Sequence, residues 1–189
     1  FAVGEGPVIH NPLRNRTDLD RFHELVDVDP LNFVFETVRA TRTGLQENLP
    51  VIGFSGAPFT LAGYAIEGGT SRNWLHTKRF MLTDPDAWHE LMGRLARTIG
   101  RYLQAQFDAG ANAVQVFDSW VGCLSPNQYR EYVLPHSRTV LESVVGRGPV
   151  IHFAAGNPSL LPLAAEAGGT VMGIDWRIEL DEAWRQVGF

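Results

Sequence analysis

The chain has 189 residues, 16 Lys and Arg against 21 Asp and Glu, a formal net charge of −5 and 44% hydrophobic residues. That balance describes a folded α/β-type chain with enough length for one core, and excludes a disordered one. The mild acidity argues against a nucleic-acid-binding face; the single cysteine, Cys123, excludes an internal disulfide framework and a multi-cysteine zinc site; no apolar run approaches the ~18 residues of a membrane span.

Elements follow in chain order. Val8-Ile9-His10 reads as a short opening strand. Residues 31–47 carry Leu31, Val34, Phe35 and Val38 at helical spacing. Residues 50–54 form an apolar run bounded by Pro and Gly, a buried strand. The chain leaves it through small residues and enters a one-turn helix before Gly68-Gly69. Asp84 then caps a long helix with Pro85 in its first turn; it runs to about Ala109, and Gly110 stops it. Residues 113–117 are the next strand, and Ser125-Pro126 opens a helix passing Tyr129, Tyr132 and Val140. A strand at 149–153, a short helix at 159–167, a strand at 171–176 and a helix from Leu180 to Val187 complete the pattern.

Strand and helix in alternation specify parallel β with crossovers. Two architectures fit: a doubly wound sheet, or part of a (β/α)₈ barrel, which as a whole takes about 250 residues. A doubly wound nucleotide binder carries a glycine-rich phosphate turn after a strand; neither G-x-G-x-x-G nor G-x-x-x-x-G-K-[ST] occurs here. Val51, Phe54, Val116 and Ile151 are expected to face a barrel interior.

Chemistry-bearing residues concentrate where strands end, the active end of a barrel. After the first strand, small residues let a ligand approach the backbone, and Tyr64 offers a phenolic donor to a carboxylate or serves as a core aromatic. After the second, Asp118, Ser119 and Trp120 stand together; Asp and Ser supply an acceptor and a donor, or satisfy loop backbone. No G-x-S-x-G elbow surrounds Ser119, so a Ser–His–Asp triad is not indicated. His152 lies within an apolar strand, where a lone histidine is more often a core residue than a metal ligand. Asp175 ends the fourth strand and caps it or orients a ligand. All basic residues except Lys78 are Arg, the planar partner of carboxylates, so acidic ligands remain compatible with the negative net charge.

Taken together, the run from Gly53 to Gly69, the segment Phe117-Asp118-Ser119-Trp120 with Gly122 and Leu124-Ser125-Pro126, and Gly173-Ile174-Asp175-Trp176 resemble the signature of the uroporphyrinogen decarboxylase family. Order and separation fit, and the likeness extends over the whole chain, including the opening Gly4-Glu5-Gly6-Pro7.

The resemblance implies a (β/α)₈ barrel of which residues 1–189 form a partial domain, about half. It also implies a cytoplasmic homodimer that binds a small-molecule substrate, with no nucleic acid or membrane partner. The activity implied is removal of the four acetate carboxylates of uroporphyrinogen III, giving coproporphyrinogen III without cofactor or metal. Residue by residue, Tyr64 matches a substrate-contacting tyrosine, Ser119 a serine that hydrogen-bonds a substrate carboxylate, and Phe54 an aromatic lining the cleft. Arg72 follows the Gly-Gly turn, where a basic residue often occurs. The arginine motif, the catalytic aspartate and a late histidine of the family are expected before Phe1 or beyond Phe189, which makes the 189 residues an internal, inactive fragment; Asp118 is not that aspartate. A second reading is a zinc- and corrinoid-linked methyltransferase of the same barrel type, which carries a His-x-Cys ligand pair. Here His152-Phe153-Ala154 has Ala at the thiolate position.

Overall fold

The computed structural model describes residues 8–46 and 49–188. The likeness at Gly4–Pro7 and the expected helix end at Glu47 lie outside the described residues. Four parallel strands, β1 (Ile52–Gly56), β2 (Ala113–Asp118), β3 (Val150–Ala154) and β4 (Val171–Gly173), pair in sequence order. The helices are α1 (Asn32–Gly44), α2 (Pro58–Glu67), α3 (Leu75–Thr83), α4 (Pro85–Asp108), α5 (Pro126–Tyr132), α6 (Leu134–Glu142), α7 (Leu161–Ala167) and α8 (Leu180–Val187).

Sequential strand order decides between the two architectures. In β2 the side chains of Val114, Val116 and Asp118 are buried beneath helices, while the alternating Ala113, Gln115 and Phe117 are only partly covered. In β1, Phe54 is 62% exposed while its neighbours Gly53 and Ser55 are buried. Helices therefore cover one face and leave the other open, as in consecutive β/α units of a (β/α)₈ barrel; a doubly wound sheet carries helices on both faces. The expectation that Val116 points inward is wrong. Its partners in register are Ser55 and His152, and all three lie on the helix side. Barrel strands are apolar on both faces, so the alternation in Val114-Gln115-Val116-Phe117 does not declare which face is inner.

The core sits between the sheet and α4. This helix of 24 residues starts where Asp84 accepts a hydrogen bond from the Ala87 amide (3.2 Å). Trp88, Leu91, Met92, Leu95, Ile99 and Leu103 recur on one stripe and are buried. Its outer face holds Arg97 and Arg101, which clamp Glu24 (2.6 Å each). The Arg97 hydrogen bond, with Arg101, lowers the Glu24 carboxyl to about 2 despite partial burial.

Several expectations need correction. Val8–His10 is not a strand; the Ile9 amide instead bonds the Gly68 carbonyl (2.8 Å). The helix expected over 31–47 begins as a tight turn at Asp29–Leu31 and ends at Gly44. The one-turn helix after β1 is the three-turn α2, and α3 was not anticipated. The helix from Ser125 breaks at Val133, because Pro135 lacks an amide hydrogen and restarts the helix as α6. The strand expected over 171–176 stops at Gly173, where the chain turns so that Asp175 can bond the neighbouring loop.

Candidate active site

Each strand points its C-terminal end at the same rim, and the following loops are stitched there by backbone. The Ala57 amide donates to the Phe117 carbonyl (2.8 Å), joining the first two strand ends. The Ala155 amide donates to the Asp118 carbonyl (3.1 Å), joining the next. Gly156 donates to Asp175 Oδ2 (2.6 Å), joining the last. Burial would raise the Asp175 carboxyl, but the Gly156 amide and Arg177 outweigh it and hold the group below its usual range. Asp175 is thus a charged clamp between loops. Asn157 donates from its side chain to the Leu124 carbonyl (3.0 Å).

Gly122 makes this stitching possible. A Cβ there would stand 2.6 Å from the Ala155 carbonyl oxygen and 2.7 Å from the Gly156 backbone. Gly156 itself has φ +94°, so the close approach joins two glycine backbones.

Above this floor lies an aromatic group. Tyr64, on α2, meets Trp120 edge to face with centroids 6.2 Å apart, and meets Trp74 similarly at 6.1 Å. Trp74 and Trp120 lie 5.1 Å apart. Trp74 heads α3 in a left-handed conformation (φ 52°), secured by the Ser71 hydroxyl, which accepts from its amide (3.0 Å). Glu67 at the end of α2 accepts from the Thr77 amide (2.9 Å) and hydroxyl (3.0 Å), fixing α3 to α2.

On the open face of the sheet, Phe54, Phe117 and Phe153 form a row with successive centroids 6.0 Å apart. Phe54 is the outermost ring, at the middle of β1. Ser119 follows β2 directly and is half-buried, and its neighbour Trp120 carries it to the rim where Tyr64 stands. The structure thus brings Tyr64 and the Ser119–Trp120 loop to one end of the sheet. Phe54 belongs to the separate aromatic row on the open face and does not sit among them. Arg72 is exposed in the turn between α2 and α3.

Asp118 turns away from the rim. It is fully buried and Thr60 Oγ1 donates to its Oδ1 (3.1 Å). Burial raises its carboxyl to about 7. His152 is buried as well; its Nδ1 lies 3.0 Å from the Ala164 carbonyl, an obligate acceptor, so that nitrogen carries the proton. Burial lowers the imidazole to about 4, so it is neutral and staples β3 to α7. Among the described residues no group of three or more His, Cys, Asp or Glu is placed to hold a metal ion, and no helix is long and apolar enough to cross a membrane. Sequence reasoning missed Thr60 and Trp74. A threonine in an apolar helix and a tryptophan in a turn carry no pattern that announces them.

The family model described as uroporphyrinogen decarboxylase (URO-D) matches residues 1–188. Among curated relatives, uroporphyrinogen decarboxylase from Carboxydothermus hydrogenoformans is 53% identical over 190 residues, covering 100% of this chain and 54% of the relative. Those from Sorangium cellulosum and Streptomyces coelicolor are 49% and 52% identical, covering 100% and 98% of this chain and 54% and 52% of theirs. The chain spans about half the length of the curated relatives it matches. Among solved structures, a methyltransferase from Methanosarcina mazei superposes with a TM-score of 0.78 at 14% identity, over 95% of this chain and 52% of that one. At that identity the likeness is one of fold. By the family match and by relatives at about half identity along its whole length, this chain belongs to the uroporphyrinogen decarboxylase family.

Proposed function

We propose that this chain supplies part of the substrate cleft of a carboxy-lyase that removes acetate carboxylates from uroporphyrinogen, converting uroporphyrinogen III to coproporphyrinogen III. The observation that carries this reading is a row of aromatic rings, set edge to face, on the open side of the sheet, together with the hydroxyl-bearing Tyr64 and Ser119 brought to the C-terminal end of the same sheet. A tetrapyrrole bearing carboxylates needs both: apolar surface for its rings and donors for its acids. Tyr64 and Ser119 are the donors in this reading, Phe54 lines the cleft, and Arg72 stands within the same loop system.

The chemistry sets the demands on the site. A pyrrole protonated at the acetate-bearing carbon becomes an electron sink, and the carboxylate leaves as carbon dioxide. The protein must hold the remaining carboxylates in place and keep water from the developing charge. No cofactor enters this scheme. A cytoplasmic homodimer is the assembly we infer from the family resemblance. The methyltransferase alternative has a fold relative but lacks the second half of its ligand pair at Ala154.

The protein expressed from its entire reading frame should convert uroporphyrinogen to coproporphyrinogen, measured by chromatography of the oxidised porphyrins. Tyr64→Phe and Ser119→Ala should each lower kcat/KM by about 5- to 150-fold, the loss of one hydrogen bond to a charged group at roughly 1–3 kcal/mol. Absence of conversion by the wild type would overturn the reading. Complete inactivity of a folded Ser119→Ala would make Ser119 a participant in the chemistry, not a binding donor.

A further inference from the structure

Asp118 closes β2 at a point where three strand ends meet. Its carbonyl accepts from Ala155 at the end of β3, and the carbonyl before it accepts from Ala57 at the head of α2. Its side chain is wholly enclosed, and its one hydrogen bond runs to Thr60, one turn before Tyr64 on α2. The next residue in the chain is Ser119. A single carboxyl therefore links the helix carrying one proposed substrate donor to the strand end carrying the other. Its second oxygen, Oδ2, is buried without a partner.

The surroundings do not favour a charge. No arginine or lysine pairs with Asp118 among the described residues. The titratable groups that bear on it are Tyr129 from α5 and Cys123 from the turn after β2. His152 of β3 lies one step along the same buried face, opposite Val116, and is neutral. From α2 it meets Thr60, and Ser137 of α6 stands beside Tyr129; both are uncharged. A carboxyl so enclosed is held in its neutral form.

We propose that Asp118 is a positioning residue: in its protonated form it holds α2 against the end of β2, so that Tyr64 and Ser119 present a fixed spacing to substrate carboxylates, and losing its proton loosens that spacing. The proposal rests on the decarboxylase reading of Tyr64 and Ser119. Charging the buried group strengthens the hydrogen bond that Thr60 donates to Oδ1 but leaves Oδ2 charged and unpartnered, so water or a rearranged strand end is drawn toward Oδ2, and α2, tied through Thr60, shifts with it.

The test uses the protein from its entire reading frame, with kcat and KM for uroporphyrinogen measured from about pH 5.5 to 8.5, a range that brackets the buried carboxyl's titration near 7. Wild-type KM should rise as pH passes about 7. Asp118→Asn keeps an acceptor for Thr60 and has no proton to lose; it should hold the low KM across the range. Thr60→Val should raise KM about five- to tenfold at every pH, with kcat changed less than about twofold. A wild-type pH limb that survives in Asp118→Asn, or an unchanged KM in Thr60→Val, would overturn the proposal. A second readout is independent of activity. Difference infrared spectroscopy should show a carboxylic-acid C=O band near pH 6 that Asp118→Asn lacks. Without that band the positioning role fails whatever the enzyme does. With the band present but no decarboxylation, it is the functional reading that falls, and the substrate-positioning role goes with it.

Discussion

The two faces of the sheet are made from similar residues and have opposite fates. Beneath the helices, Val114, Val116 and Val150 are fully covered in one core with Trp88, Leu91 and Leu103 of α4, and His152 is fully covered against α7. On the open face, Ile52 and Phe54 are more than half exposed, and Phe117 and Phe153 are partly so. The difference teaches where stability and function are kept apart. Helix-side residues contribute apolar burial at about 25 cal/mol per Å². Open-face residues occupy the side that faces the interior of a (β/α)₈ barrel, where packing by further strands or contact with a ligand can stabilise them.

Substitutions on the two sides should therefore differ sharply. Trp88→Ala removes a buried ring that packs edge to face on Phe59 and donates to the Tyr132 carbonyl (2.9 Å). It should cost about 3–5 kcal/mol of unfolding free energy by denaturant titration. A cost under about 1 kcal/mol would mean that the helix side is not the stability core.

Acidification offers the next largest effect. Asp118 titrates near 7 in the fold against 3.8 unfolded, so its contribution is full below pH 3.8 and lost as pH rises through about 7. His136 and His152 titrate near 4 in the fold against 6.5 unfolded, mainly through burial, so theirs is full above pH 6.5 and lost as pH falls through about 4. The two trends oppose each other in the wild type. Asp118→Asn removes the first, so the variant should lose stability on acidification from pH 7 to 4 more steeply, by up to roughly 4 kcal/mol. Parallel stability–pH curves for the two proteins would show that Asp118 does not titrate there.

Gly122→Ala puts a methyl group against the Ala155–Gly156 backbone and should cost about 1–3 kcal/mol, visible as a lowered Tm. The smallest effect belongs to the open face. In the 189-residue chain, Phe54→Ala should change unfolding free energy by less than about 1 kcal/mol. A larger loss of stability would place Phe54 in the core and erase the contrast between the faces.

The sequence made the sheet readable because β1, β2 and β3 are short, β-branched or aromatic runs between Gly and Pro. It made α4 readable because a capping Asp84, Pro85 and a long apolar stripe agree. The helix α2 was underestimated since its Ala, Gly and Thr residues carry little periodic contrast, and α3 escaped because its first residue follows a left-handed tryptophan with no capping side chain. Tyr64 and Ser119 could be singled out by family likeness and by the rule that barrel loops carry function. That Asp118 faces the helices while Ser119 leaves toward the rim is a matter of strand register, and no local pattern in Phe117-Asp118-Ser119 specifies it. The link from Thr60 to Asp118 joins residues 58 apart, a separation at which local sequence is silent.

The strand pairings also set an order of events during folding. Ile151 meets Val171 across about 20 residues of chain, Val114 meets Val150 across about 36, and Ile52 meets Ala113 across about 60. Closing the longest of these loops costs about 1 kcal/mol more entropy than closing the shortest. The C-terminal pairings should thus be reached earlier in time, with the first strand and α2 docking onto a surface already partly assembled. Tyr64 arrives with that late-docking segment, whereas Ser119 belongs to the strand that receives it. The candidate site would then be completed by the slowest step of the chain's own assembly.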